Sequence, residues 1–344
     1  MTTLAAPAVA LRDTFGRVAR DLRVSLTDRC NLRCSYCMPA DGLAWLPSAE
    51  VLTDEEVSRL VGVAVSHLGV RTVRFTGGEP LLRPGLPGIV AHAAGLRTDR
   101  GEPPDLALTT NGIGLDRRAA ELAGAGLGRV NVSLDSLDRA RYAALARRDR
   151  LPDVLAGLVA ADAAGLRPVK VNTVVMRGAN EVDVVPLLEF CLVRGYRLRF
   201  IEQMPLGPEH GWDRTAMVTA QEILATLRDH FALTPAGQRG AAPAEEWLVA
   251  ASGRHPAGRV GVISSVTAPF CGACDRTRLT ADGQLRTCLF SRTETDLRGP
   301  LREGATDADL ADLWRGAHRA KAAGHGIGAP GFRPPARTMS SIGG

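Results

Sequence analysis

The feature that most restricts this chain is a recurrence of element type. Through the first two hundred residues a short β-branched or apolar run is followed by an amphipathic stretch, about every 30 residues. The runs are Leu22–Leu26, Arg71–Thr76, Asp105–Thr109, Arg129–Ser133, Pro168–Val174 and Arg197–Glu202. The stretches between them are Asp54–Leu68, Leu86–Gly95, Asp116–Ala125, Leu151–Ala164 and Val182–Arg194, several of them ending on glycine as helix C-caps do. Such alternation predicts a parallel sheet with right-handed crossovers. Six units predict an α/β fold, an incomplete (β/α)6 barrel of the TIM type.

The strands carry a second pattern. Successive side chains point to opposite faces. Val130, Val132 and Leu134 oppose Asn131, Ser133 and Asp135; Val73 and Phe75 oppose Thr72, Arg74 and Thr76. Arg23, Ser25, Thr109, Lys170, Asn172 and Arg199 fall on the same polar side. Helices must cover the apolar faces, which leaves the polar faces inside. A closed barrel ordinarily fills its interior with Val, Ile and Leu. A polar, cationic interior predicts a wet cavity that holds an anion. A sheet with one solvated face is the alternative, and parallel sheets are normally covered on both sides.

Charge narrows the partner. Lys and Arg exceed Asp and Glu by 42 − 37 = +5, and only 4% of residues are aromatic. No dense basic stripe with interleaved aromatics appears, so a nucleic-acid partner is not expected; a phosphorylated small substrate fits better. No run approaches the roughly 20 apolar residues needed to span a bilayer, so no membrane partner is expected. Met1–Leu11 lacks a basic leading segment, and a cytoplasmic location is expected. After Phe231 the character changes: Pro235–Ala244 reads as a linker, Val260–Val266 as β-like, Thr306–Ala322 as a helix, and the residues from His325 as a Gly/Pro-rich tail. The predicted division is a barrel over 1–235 and an α+β extension over 236–344.

Six of the seven cysteines form two groups. Grouped cysteines in a reducing compartment more often mean metal than disulfide; Cys191, alone in an apolar run, reads as a buried helix thiol. The first group, Cys30-x3-Cys34-x2-Cys37, follows the first strand, where parallel α/β folds place their sites. Three thiolates hold three irons of a cubane cluster; most clusters take four cysteines, so one iron stays open. The second group, Cys271-x2-Cys274-x13-Cys288, also lacks a fourth cysteine. Zinc competes at both, and at the second it would need a distant ligand such as His255 or His325; a second open cluster is favoured. Arg276 and Arg278 share one face of an extended segment between those cysteines. Guanidinium forks match phosphate oxygens, and with Arg23, Arg74, Lys170 and Arg199 they predict a chamber for a substrate with several phosphates.

The first cysteine spacing, with Tyr36 before its last member, resembles the signature of the radical S-adenosylmethionine (SAM) superfamily, and Thr76-Gly-Gly-Glu-Pro80 resembles that superfamily's glycine-rich loop. The resemblance implies a [4Fe-4S] cluster on Cys30, Cys34 and Cys37 whose open iron chelates SAM, with Tyr36 (through its backbone), Gly78, Ser133 and Met204 at SAM-binding positions. Both triads together with Arg20-Asp-Leu-Arg-Val-Ser-Leu-Thr-Asp-Arg-Cys-Asn-Leu-Arg-Cys34, Arg74-Phe-Thr-Gly-Gly-Glu-Pro80, Thr109-Thr-Asn-Gly112, Asn131-Val-Ser-Leu-Asp135, Arg199-Phe-Ile-Glu202 and Gly343-Gly344 resemble the GTP 3′,8-cyclases of molybdenum cofactor biosynthesis.

That closer resemblance implies conversion of GTP to (8S)-3′,8-cyclo-7,8-dihydro-GTP, begun by a 5′-deoxyadenosyl radical that takes the 3′ hydrogen. It implies a second [4Fe-4S] cluster on Cys271, Cys274 and Cys288 holding the guanine base. Arg23, Arg74, Thr109, Lys170, Arg276 and Arg278 would bind GTP, and Arg276, Arg278, Gly343 and Gly344 would serve catalysis. Without the resemblance the Gly-Gly tail reads as a frayed terminus. The implied partners are an external one-electron donor and the next enzyme of the pathway, cyclic pyranopterin monophosphate synthase; oligomeric state stays open, a homodimer included. Two other readings compete: a radical SAM peptide maturase with an auxiliary cluster, which usually carries more C-terminal cysteines, and a non-enzymatic zinc module.

Overall fold

A computed structural model describes residues 10–207 and 212–343. Residues 1–9, on which most of the expectation about a leading segment rests, and Gly344 lie outside the described residues. In chain order the first half contains β1 (Leu11–Arg12), β2 (Val18–Ala19), β3 (Asp21–Ser25), α1 (Asp54–Leu68), β4 (Thr72–Thr76), α2 (Leu86–Gly95), β5 (Asp105–Thr110), α3 (Leu115–Gly124), β6 (Arg129–Ser133), α4 (Arg139–Ala146) and α5 (Leu151–Ala163). Then come β7 (Lys170–Val175), α6 (Val184–Arg194), β8 (Arg197–Glu202), α7 (Ala220–His230), β9 (Leu233–Pro235), β10 (Glu245–Val249), β11 (Gly258–Ile263), β12 (Arg276–Leu279), β13 (Gln284–Arg286), β14 (Thr295–Asp296), α8 (Arg298–Arg302), α9 (Asp307–Arg319) and α10 (Met339–Ile342).

The six expected strands form the middle of the sheet, all parallel, in the order β3-β4-β5-β6-β7-β8. The sheet is wider than the sequence pattern indicates. β12 adds parallel to β3 at one edge and β11 adds parallel to β8 at the other. Antiparallel β13 and β14 extend the first edge, and β10 and β9 the second, so the barrel stays open among the described residues, with β14 and β9 as its ends. The chain is an α/β partial barrel whose C-terminal strands extend both of its edges.

Local sequence explains the helix starts. Thr53, Thr219 and Thr306 each accept from the backbone N–H three residues on, while Glu56, Glu222 and Asp309 reach back to the cap. Each such capping box is worth about 1 kcal/mol. α1 buries Val57, Leu60, Val61, Ala64 and Leu68, which belong to one continuous core with apolar strand residues such as Val73, Phe75, Leu108, Val130 and Phe200. The C-terminal α9 backs β12: fully buried Trp314 donates from its indole N–H to Thr277 Oγ1 at 2.9 Å. The turn into β12 is tied to β3 by the Arg20 and Asp21 amides, which both donate to the Asp275 carbonyl at 2.8 and 3.0 Å. No described helix is long and apolar enough to cross a membrane.

A second, smaller apolar cluster contains Leu206, Met217, Val266, Phe290, Ile327 and Ile342. It orders the end of the chain. Ile342 is buried, a contribution of about 1.5–3 kcal/mol, and Arg337 pairs with Asp282 and Glu294 at 2.7 and 3.0 Å. The described part of the tail is therefore packed, unlike an ordinary terminus.

Candidate functional site

The Cys30–Cys37 loop begins where β3 ends and is held from two sides. Below it, the glycine pair after β4 packs directly on its backbone: the Gly78 and Glu79 amides donate to the Thr27 and Arg29 carbonyls, each at 2.7 Å. A Cβ on Gly77 would lie 2.5 Å from the Thr27 oxygen, and one on Gly78 would lie 2.2 Å from the Arg29 oxygen. The sequence gives these glycines a ligand-approach role; in the structure, side chains are also forbidden there by the cysteine loop itself. Glu79 folds inward to accept from Thr110 Oγ1 (2.7 Å) and the Asn111 and Leu81 amides (2.7 and 2.9 Å), and burial pushes its carboxyl up to about 7. On the far side the Tyr36 hydroxyl donates to Asp135 Oδ2 at 2.7 Å, and burial raises that carboxyl to about 6.

Both cysteine triads open into one cavity, with Cys30, Cys34 and Cys37 on one side and Cys271, Cys274 and Cys288 on the other. The first three are partly buried thiols. Burial pushes Cys30 up to about 11 and Cys37 to about 12, and Cys34 well above the ordinary thiol range. Thiols so desolvated ionise by binding metal rather than by losing a proton to water. At Cys274 burial also pushes upward, but Lys321 and Arg276 outweigh it and hold the thiol below its usual range. Three soft thiol donors per site, with neighbouring charge that favours thiolate at Cys274, fit an iron–sulfur cluster at each. Among the described residues no three His, Cys, Asp or Glu side chains converge as a single metal ion requires. A zinc site needs four donors at one point, whereas a cubane spreads its ligands over its corners. Of the two distant candidates, His255 stacks on Phe231 with ring centroids 5.2 Å apart and lies outside the cavity lining. His325 lines the cavity, with its Nδ1 accepting from the Ile327 amide at 3.1 Å.

Between the triads the wall is cationic. Arg278, Arg23 and Arg74 lie side by side, in register, on β12, β3 and β4. Desolvation and the charges of Arg74 and Arg278 push half-buried Arg23 well down; desolvation pushes buried Arg74 and Arg278 down as well, with Arg129 and Arg276 adding to it at the first and Arg276 at the second. Asp21 answers only part of the charge, at 3.7 Å from Arg74. The buried Nε groups of Arg23, Arg74 and Arg276 have no partner, nor has Asp21 Oδ1. Buried donors are nearly always paired in a functioning molecule, so this row is built for an anion. Arg276 also stacks on Phe270, 4.7 Å from the ring centroid, with Arg239 on the same ring at 4.4 Å.

The cavity gathers Arg23, Arg74, Thr109, Arg276, Arg278, Tyr36, Gly78, Ser133 and Met204 into its lining. Lys170 stands apart: it is half-buried, one side-chain layer nearer the strand N-termini than lining residue Asn172, and outside the lining. Burial and four surrounding arginines, Arg199 first, bring its amine down to about 8. Gly343 reaches the same chamber. Arg278 donates to its carbonyl, and a Cβ there would lie 2.3 Å from Ser25 Oγ.

Several contacts in the site go beyond what the motifs indicate. Arg199 donates to Asn172 and Asn131 (2.9 and 2.6 Å), and Asn131 donates to Thr109 at 3.2 Å, a polar brace across four strands. Their place on the polar strand faces was the available signal. Phe270 and Lys321 carry none. Glu202, at the end of β8, is fully buried and accepts from the Ala220, Val266 and Thr267 amides, tying α7 and the 266 loop to the cavity rim.

Comparison with known proteins supplies further findings. The radical SAM superfamily model matches residues 24–191, and the Molybdenum Cofactor Synthesis C model matches residues 196–327. The chain is 62% identical over 336 residues to a GTP 3′,8-cyclase of Corynebacterium glutamicum, covering 97% of this chain and 89% of that protein. It is 61% identical over 335 residues to GTP 3′,8-cyclase 2 of Mycobacterium tuberculosis, covering 97% and 92%. Among solved structures, Streptococcus suis SuiB bound to S-adenosylmethionine superposes with a TM-score of 0.58 at 14% identity, covering 89% of this chain and 67% of that one, a likeness of fold alone.

Proposed function

The chain belongs to the GTP 3′,8-cyclase family of radical SAM enzymes, and from that premise we propose that it converts GTP to (8S)-3′,8-cyclo-7,8-dihydro-GTP in molybdenum cofactor biosynthesis. The observation that carries this reading is the single cavity onto which both cysteine triads and the in-register arginine row open.

Cys30, Cys34 and Cys37 would hold the cluster, and the Tyr36 backbone, Gly78, Ser133 and Met204 would bind SAM. When bound, the cluster and SAM together supply one-electron cleavage to a 5′-deoxyadenosyl radical, the reagent for the 3′ hydrogen. Cys271, Cys274 and Cys288 would hold a second cluster, which would take the guanine base. Residues after 235 thus supply the second triad, the tail and the strands that extend both edges of the sheet, and residues before it the six central strands.

The protein's own work is binding and exclusion. Arg23, Arg74 and Arg278 present their guanidinium forks to the triphosphate, which satisfies the Nε donors of Arg23 and Arg74 that otherwise have no partner. Lys170 adds its charge from the layer beneath, and Thr109, braced by Asn131, fixes one side of the nucleotide. Arg276, pinned on Phe270, stands between the phosphate row and the second triad. The tail closes the chamber at Gly343, and a closed chamber keeps a reactive radical from solvent. Partners in this reading are an external one-electron donor and the enzyme that consumes the cyclised nucleotide, in the cytoplasm.

Anaerobic reconstitution with SAM, a reductant and GTP tests it. The expected result is iron and sulfide for two cubanes, 5′-deoxyadenosine, and a cyclised nucleotide in equal amount. Fully loaded protein that forms neither product would sink the reading.

A further inference from the structure

Lys321 lies just beyond α9, only 4% exposed, with a charge no carboxylate among the described residues neutralises. Its Nζ donates to the Arg276 carbonyl at 2.9 Å and sits 3.5 Å from Cys274 Sγ. A buried ammonium with only a carbonyl and a sulfur beside it is costly unless the sulfur carries negative charge. The segment around it is built to keep it there. Arg17, itself paired to Asp13, donates to the Cys271, Ala323 and Ala322 carbonyls at 2.8, 2.7 and 2.6 Å. It therefore clips residues 322–323 onto the second triad. Gly324 runs so close that a Cβ would lie 3.6 Å from Cys271 Sγ. Residues 321–325 form one wall of this site.

We propose that Lys321 is the charge-setting positioning residue of the second cluster, its ammonium donating to the Cys274 sulfur and raising that cluster's reduction potential. The inference rests on the reading that the second triad holds a cluster. Reduction adds one negative charge to a group already negative through its thiolates. A cation in contact with a ligand sulfur stabilises the reduced form more than the oxidised form. The first triad has no such lysine: among the described residues, its sulfurs meet amides, from Leu32, from the Asn111 side chain and from Ser340, and the Tyr36 side chain, with the Arg33 charge acting on Cys30. The two clusters therefore differ in potential by design of their surroundings.

The test is an electron paramagnetic resonance redox titration of the two-cluster holoenzyme, wild type against Lys321→Met and Lys321→Arg. Added SAM perturbs the first cluster's signal and so identifies the second. The expected result for Lys321→Met is at least a tenfold fall in the reduced-to-oxidised ratio of the second cluster at fixed potential, about 59 mV for a one-electron couple. The first cluster is unmoved and Lys321→Arg stays near wild type. Loss of the second cubane from Lys321→Met alone, with Lys321→Arg fully loaded, also supports the contact. An unshifted second midpoint in fully loaded Lys321→Met overturns the proposal, as does equal loss of the cubane from both variants. Wild-type protein that loads only one cubane overturns the underlying two-cluster reading instead, so the two failures are distinct.

Discussion

Arg278 Nη1 donates to the Gly343 carbonyl at 2.6 Å, inside the chamber and away from solvent. One guanidinium thus serves both the anion row and the end of the chain. It stands between Arg23 on the neighbouring strand and a tail anchored by Ile342 and by the Arg337 pairs. Closure of the chamber and occupancy of the anion row are therefore coupled through a single side chain.

That coupling makes Gly343 a sensitive position. Its φ of +72° disfavours any side chain, and a Cβ would lie 2.3 Å from Ser25 Oγ and 2.8 Å from Thr76 Cγ2. Gly343→Ala should displace the tail and lower product formation about 10²-fold, the scale of a 1 Å misplacement near a reacting centre. Cluster loading should stay at the wild-type level. Steady-state assay with iron analysis checks both, and a wild-type rate would remove the tail from the working site.

The arginine row predicts effects of opposite sign. Arg23→Met removes a desolvated charge that repels Arg74 and Arg278, so the nucleotide-free protein should melt at a higher temperature. GTP affinity should fall about tenfold to a hundredfold, since a charge-assisted hydrogen bond is worth about 1.5–3 kcal/mol. Calorimetric binding and melting curves read the two effects; a lower melting temperature with unchanged affinity would contradict the assignment.

At Gly78 the added methyl group of Gly78→Ala would lie 2.2 Å from the Arg29 carbonyl, a backbone atom with nowhere to go. The cysteine loop must shift. The variant should lose iron from the first site and cleave SAM poorly while still binding GTP at the arginine row. Iron content near wild type with normal SAM cleavage would show that the two loops are not so tightly joined.

Lys170 gives a pH signature. Its amine is brought from about 10.5 down to about 8, so the folded protein sheds this proton before the unfolded chain does. Its contribution is fully present above the ordinary lysine range and is lost as pH falls through about 8. Wild-type stability should therefore rise, relative to Lys170→Met, between about pH 8 and 10.5. A triphosphate above it favours the charged form, so GTP binding near pH 8.5 should take up a proton. Titration calorimetry in buffers of different ionisation enthalpy detects that uptake, and equal uptake by Lys170→Met would assign it elsewhere.

The sequence made some of this legible and hid the rest for physical reasons. Strand alternation put Arg23, Arg74, Thr109, Ser133 and Asn172 on one face, and the structure has them lining one cavity. The cysteine spacings needed no fold to be noticed. Hidden was the place of the C-terminal strands in the sheet: Val260–Val266 reads as β-like and Arg276 to Arg278 as extended, but nothing marks them as parallel additions to β8 and β3, where all four residues of β12 are buried because the arginines face the cavity and Thr277 meets Trp314. α4 and α7 do not stand out in the sequence: apolar periodicity in α4 is weak, and α7 ends where the composition changes near 231, although Thr219 and Glu222 form its capping box. Lys321 sits in an alanine-rich stretch, and only the fold brings it from residue 321 to Cys274.

The central claim is that a nucleotide triphosphate lies between the two triads with its 3′ carbon open to the radical. GTP carrying deuterium at the 3′ position tests it most directly, in an anaerobic reaction with SAM and reductant. The expected result is one deuterium in each molecule of 5′-deoxyadenosine and none left at C3′ of the cyclised product. Unlabelled 5′-deoxyadenosine formed in the presence of bound, labelled GTP would contradict the placement of the substrate in this cavity.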